Sequence, residues 1–160
     1  MKAVFTRPAT PDDIFSVAPR LRDEDRDEVV AASGLPPLPT LLLQYRHGTD
    51  FQAAGIEEIG RPEILYGCDA MFGDPSVGVI WMLSTPALYD YPVEFTIASR
   101  RIINEMHERH QVLTNFVDVR NLRHIKWLRW LGCHMVRRVE RYGPHSLPFI
   151  EFASVRLKCA

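Results

Sequence analysis

The chain has 160 residues, 46% hydrophobic and 24% charged, with a formal net charge of −1. That length suits a single domain over 1–160, with apolar material for a sizeable core and too little polarity for disorder. The near-neutral balance excludes a protein built wholly to bind nucleic acid, and leaves room for a local basic patch.

In chain order, 2–6 reads as a short strand ended by Pro8. Thr10, Pro11, Asp12 and Asp13 form a helix start: a hydroxyl cap, proline at the first position, then acids facing the dipole. The helix is expected to break near 20–22 and restart through 27–33, with Gly34 as its stop. The run LPPLP at 35–39 reads as a rigid connector, after which Thr40 caps a short helix to Tyr45 or Arg46. Strands are expected over 50–56, 63–71 and 77–83. The last, VGVIWML, is almost unbroken in its apolar character, so both faces should be covered and the strand central. Gly73, Asp74 and Pro75 supply hairpin chemistry before it.

Residues 84–91 read as a loop, and Pro92 opens a helix to about His110. Phe95, Ala98, Ile102 and Met106 recur every three or four residues and mark its buried stripe. A strand at 112–119, a helix at 121–131 stopped by Gly132, and strands at 133–142 and 149–157 complete the chain. The strand–helix–strand crossover should set 77–83 parallel to 113–119 in an otherwise antiparallel sheet, giving an α+β (mixed α/β) domain.

No run of about 18 apolar residues exists, so no membrane span is expected. The start, MKAVFTRPATPDD, has too short an apolar stretch for a signal peptide, so the chain is expected in a cytoplasm or in a particle packaged from one. Cys68, Cys133 and Cys159 form no CxxC pair, so reduced buried thiols are expected, not disulfides or zinc. Cys133 and His134, neighbours on a strand, should face opposite ways, which argues against a nucleophile–base pair. His107 and His110 lack partner carboxylates at metal spacing and read as surface residues.

Charge is uneven. Residues 12–28 carry seven acids, and 120–141 carry seven Lys or Arg against one acid, pointing to opposed faces. At 100° per residue, Asn121, His124, Ile125, Leu128 and Leu131 fall on one face of the 121–131 helix. Arg123, Lys126 and Arg129 fall on the other, with Trp130 beside them and Trp127 at the border. That basic face is either a solvated surface with tryptophan under arginine stems or a binding surface for a protein or nucleic acid. Arg120, Arg137, Arg138 and Arg141 would extend the patch if the next strand returns alongside.

The element order is similar to that of the GNAT acyltransferase fold. The pattern N-x-x-H-I-x-x-L-x-x-x-G, from Asn121 to Gly132, resembles the acetyltransferase-like internal virion protein family of short-tailed phages. The resemblance implies a minor internal virion component that enters the host with the DNA, located in the virion interior or host cytoplasm. Other virion proteins or a host protein would be its partners.

It also implies an acetyl-CoA site where the central parallel strands splay. Leu83, Ser84 and Thr85 would meet the pantetheine arm, Asn121 would lie nearby, and the pyrophosphate would rest on the following helix N-terminus. This sequence departs from that pattern in the loop STPALYDYP, which has no glycine, two prolines and Asp90. A carboxylate there would repel phosphate by roughly 1 kcal/mol or more. Leu128 stands where many such enzymes have a tyrosine that protonates the leaving thiolate. Asp118 is then the candidate base, or else a cap for the next helix. His124 is a second candidate, or else a semi-buried histidine bonded to backbone. An active acetyl-CoA-dependent N-acetyltransferase and a phage-encoded binder of host proteins are the alternatives.

Overall fold

The computed structural model describes residues 1–156. Leu157 and Cys159, included in the expectations above, lie outside the described residues. Strand β1 (Val4–Pro8) leads to α1 (Pro11–Val17), α2 (Asp23–Ser33) and α3 (Pro37–His47). Strands β2 (Gln52–Ile56), β3 (Ile64–Met71) and β4 (Asp74–Ser84) precede α4 (Pro92–Arg109), β5 (Val112–Asp118) and α5 (Leu122–Trp130). Strands β6 (His134–Tyr142) and β7 (Leu147–Val155) follow. They form one seven-stranded sheet in the order β1-β2-β3-β4-β5-β7-β6. Every neighbouring pair is antiparallel except β4 with β5.

Local chemistry sets the element ends. Thr10 caps α1 in a reciprocal capping box with Asp13, and Gly34 closes α2 at φ 74°, where a side chain would be strained. The LPPLP run corrects one expectation. Helix α3 starts at Pro37, three residues before Thr40, so two prolines lie in its first turn. They fit because first-turn N–H groups have no partner within a helix. Thr40 bonds back to the Pro36 carbonyl at 2.9 Å instead of capping.

Two cores form, one on each sheet face. Ile14, Val17, Leu41 and Leu65 pack under α1 and α3, with Trp81 and Leu83 at their edge. Phe95, Met106, Leu113, Ile125, Leu128 and Phe152 pack under α4 and α5. Ile102 of the α4 stripe is partly buried against that second core.

Strand β4 is central, as its apolar run requires. Its pairing with β5 is short: Val77–Val112, Gly78–Leu113 and Val79–Thr114. Beyond Thr114, Asn115 reaches across and donates from Nδ2 to the Ile80 carbonyl at 2.6 Å, and the strands then diverge.

The β3–β4 hairpin that carries this edge has no room at Gly67. A Cβ there would fall 2.1 Å from the Asp50 carbonyl and 2.8 Å from Trp81 Nε1. Backbone cannot yield as a side chain can, so Gly67→Ala should lower unfolding free energy by about 1–3 kcal/mol. Urea denaturation measures this, and an unchanged midpoint would show the hairpin has slack.

Candidate functional site at the strand divergence

The diverging strands leave backbone groups to satisfy. Thr85 donates its N–H to the Glu63 carbonyl on the β3 side, so by alternation Met82 and Ser84 turn their backbone groups toward β5. The Ser84 groups are filled from α2. Its N–H donates to Asp25 Oδ2 at 2.8 Å, and its carbonyl accepts from the Arg22 N–H at 3.0 Å. Arg22 and Asp25 are themselves paired through two bonds of 3.0 and 2.6 Å, and both are buried. Their charges are tolerable because each is met by the other and Asp25 also accepts the strand N–H and the Ser84 hydroxyl.

A cavity of about 500 Å³ passes through the sheet at this opening. Leu41 and Trp81 line it on one face, Phe95 and Trp127 on the other, and Asn115 stands in the gap. Glu28 contributes a carboxyl to its wall. Glu28 Oε2 accepts from the Asp118 N–H at 3.2 Å and from Asn121 Nδ2 at 3.0 Å. Burial pushes this carboxyl up to about 8; the Asn121 bond opposes the shift and the Asp25 charge adds to it. The residue as a whole is half-buried, and its carboxyl is the end held by the Asp118 N–H and the Asn121 amide.

The residues expected at the site divide into groups. Asn121 caps α5, accepting from the His124 N–H at 3.3 Å, and also holds Glu28, so it serves two roles. His124 lies on the buried face and lines the cavity, but its Nδ1 has no partner, against the expected backbone bond. Burial takes its pKa down to about 4; Asp25 opposes the shift and Arg22 adds to it. Asp118 ends β5, buried, with its carboxylate clasped by Arg120 at 2.6 Å and by the Arg120 N–H at 2.9 Å. Leu83 packs toward the α1–α3 core, and Thr85 gives its hydroxyl to the buried Glu63 carboxylate. Leu128 is a core residue.

Arg123, Lys126, Arg129 and Trp130 are exposed on the far side of α5, away from the cavity. The basic patch does not extend as expected. Arg120 pairs with Asp118, Arg137 with Glu151, and Arg138 with Glu140. His107 and His110 correct another expectation, since both are buried. His107 bonds Ser154 Oγ at 2.9 Å and the His110 carbonyl at 3.2 Å, and His110 Nδ1 bonds the Pro75 carbonyl at 2.9 Å. They fasten the end of α4 to the sheet.

Arg22, Asp25 and Glu28 were not singled out in the sequence. A signal was present: Asp25, Glu28, Val29 and Ala32 share one helical face, so two carboxylates ride on an apolar stripe.

No family profile and no curated protein matches the chain. Solved structures do. The aminoglycoside acetyltransferase AAC(6')-Ib, in complex with ribostamycin and coenzyme A, is 17% identical over 96% of this chain and 94% of its own, with a TM-score of 0.73. A GNAT-family acetyltransferase from Bacillus anthracis is 9% identical over 96% and 95%, also at 0.73. The ribosomal-protein-alanine N-acetyltransferase from Brucella melitensis is 14% identical over 95% and 99%, at 0.69. The chain therefore has the GNAT fold.

The two shifted groups predict a pH profile. Glu28 keeps its proton in the fold where the unfolded chain, with a carboxyl at 4.5, has lost it, so stability falls as pH rises from about 4.5 to about 8. His124 is neutral in the fold down to about 4 while the unfolded imidazole protonates below 6.5, so stability rises between those values. The two oppose each other below 6.5, and Glu28 alone remains above it. Melting temperature should drop between pH 6.5 and 8, and Glu28→Gln should flatten that limb. A limb unchanged in the variant would assign it to other groups.

Proposed function

We propose that the chain is a GNAT-fold binding protein in which acyl transfer has been lost. It would serve as a minor internal component of a short-tailed phage virion, ejected into the host cytoplasm with the DNA. One observation carries the loss of transfer: the loop that would cradle a coenzyme pyrophosphate has several of its amides already engaged. The N–H groups of Ala87, Leu88 and Asp90 all donate within 85–90, Thr85 donates to Glu63, and Pro86 and Pro92 have none to offer. The carboxylates of Asp90 and Glu94 stand at the same helix start, where an anion would have to rest. The Arg22–Asp25 pair likewise occupies the Ser84 groups that a pantetheine amide would need. The virion role is supported by the Asn121–Gly132 motif resemblance, and other virion proteins or a host protein are the partners it implies.

The cavity favours a second reading, an acetyl-CoA-dependent N-acetyltransferase. Such an enzyme needs a passage joining donor and acceptor across the diverging strands, and Phe95, Asn115 and Trp81 line one. The coenzyme A in the complex with AAC(6')-Ib supports the same reading by analogy. On this reading Glu28 is better placed than Asp118 as the base, because it lines the cavity, as Asp118 does not, and its pKa of about 8 lies near working pH. Leu128 still provides no acid for the leaving thiolate.

Titration calorimetry with millimolar acetyl-CoA decides between them. The expected result is no saturable heat and no rise in melting temperature. Saturable binding weakened by Asn121→Ala would establish the acetyltransferase reading instead. Mass spectrometry of purified particles of the encoding phage should detect the chain, and its absence there would remove the virion role.

A further inference from the structure

Most cations of this protein are matched. Lys2, Arg7, Arg20, Arg22, Arg61, Arg101, Arg109, Arg120, Arg137 and Arg138 each meet a carboxylate. Among the described residues, Arg26, Arg46, Arg141 and Arg156 meet none at scattered positions, and Arg100, Arg123, Lys126 and Arg129 meet none and are all exposed on α4 and α5. The helices lie side by side, since Thr96 and Trp127 share a small cavity and Arg100 sits over Trp130. Arg100, Arg123, Lys126 and Arg129 therefore share one surface.

Two aromatic rings are set among them. The Arg100 guanidinium lies 3.6 Å from the Trp130 ring centroid, and that of Arg123 lies 4.7 Å from the Tyr89 centroid. Trp130 is 48% exposed and Tyr89 40%. Trp130 thus carries one cation and is otherwise open to solvent, while Tyr89 carries Arg123 and, at 5.7 Å, the buried Arg22, and keeps part of its surface exposed. Val93 and Ile97 are exposed beside them. The acids Asp12, Asp23 and Asp27 are exposed on α1 and α2, not on α4 or α5.

We infer that the α4–α5 surface binds a single strand of nucleic acid. Arg123, Lys126, Arg129 and Arg100 would meet the phosphates, and the exposed surfaces of Trp130 and Tyr89 would take bases. Ring and cation together are what a strand requires, because stacking suits any base while guanidinium and ammonium groups track the backbone. A duplex hides its base faces, and a purely acidic protein segment would leave the rings unused. From Arg123 to Trp130 the surface runs roughly 10 Å along the helix. Asp90 and Glu94, at the start of α4, bias the phosphates toward the end holding Lys126 and Arg129. The inference is independent of whether the cavity binds acetyl-CoA.

Fluorescence anisotropy with a labelled oligothymidylate of about twenty nucleotides tests it on the full chain. Binding should weaken with salt, with a log–log slope of magnitude about 2–3, as expected for three or four phosphate contacts on a single strand. The double variant Lys126→Glu, Arg129→Glu should weaken binding at least tenfold. Trp130→Ala, at an exposed position that leaves the core intact, should weaken it roughly fivefold or more while preserving the salt slope. No binding at low salt, or affinity unmoved by the double charge reversal, would overturn the inference. So would unchanged affinity in Trp130→Ala together with equal competition by poly-glutamate, which would mark the surface as a site for acidic protein.

Discussion

Three residue pairs of parallel hydrogen bonding join β4 to β5, and their separation after Val79 and Thr114 is the constraint on which the rest of the site depends. A sheet this wide would otherwise be continuous, with no passage between its faces. Asn115 closes the paired part by bonding Ile80, and from there every backbone group on the inner side of β4 needs another partner. The cavity, the placement of α2 and the buried ionisable groups all follow from how that need is met.

In this chain helix α2 meets much of it. Its N-cap and first turn deliver Arg22 and Asp25 to the end of β4, and its next turn delivers Glu28 to the end of β5. The arrangement resembles a ligand made from the protein's own side chains: an acceptor for a strand N–H, a donor for a strand carbonyl, and a carboxyl at the far edge. Holding an ion pair in such a place is costly unless it is fully bonded, and breaking one here would cost about 3–5 kcal/mol by leaving a lone buried charge. The plug is therefore a stable feature of the fold, and Glu28 is desolvated by the company it keeps. What the inner opening loses in free backbone groups, the outer face of α4 and α5 retains in free cations.

The strand–helix order, the central position of β4 and the division of α5 into a buried and a basic face were legible in the sequence. Each is a local statement, carried by the VGVIWML run, by caps such as Thr10 and Asn121, and by periodicity between Asn121 and Leu131. The start of α3 was misread because prolines normally mark connectors, and only their place in a first turn makes them helical. His107 and His110 were misread because their bonds go to Ser154 and Pro75, which are distant in sequence. The carboxylates of α2 sat within an acidic run that looked solvated, although Asp25 and Glu28 share a stripe with Val29 and Ala32.

The sequence by itself determined which residues form helices and strands and which side of each is apolar, because those depend on spacing of neighbours along the chain. Only the tertiary structure decided what covers each face. The same acidic helix could have pointed Asp25 and Glu28 into water. The divergence of β4 and β5 draws them inward, where unmet backbone groups reward a carboxylate and low polarity raises the pKa of the one without a counter-ion. The cations of α5 stay free for a different reason: the carboxylates that take the neighbouring arginines Arg120, Arg137 and Arg138 are Asp118, Glu151 and Glu140, and none is left for Arg123, Lys126 or Arg129.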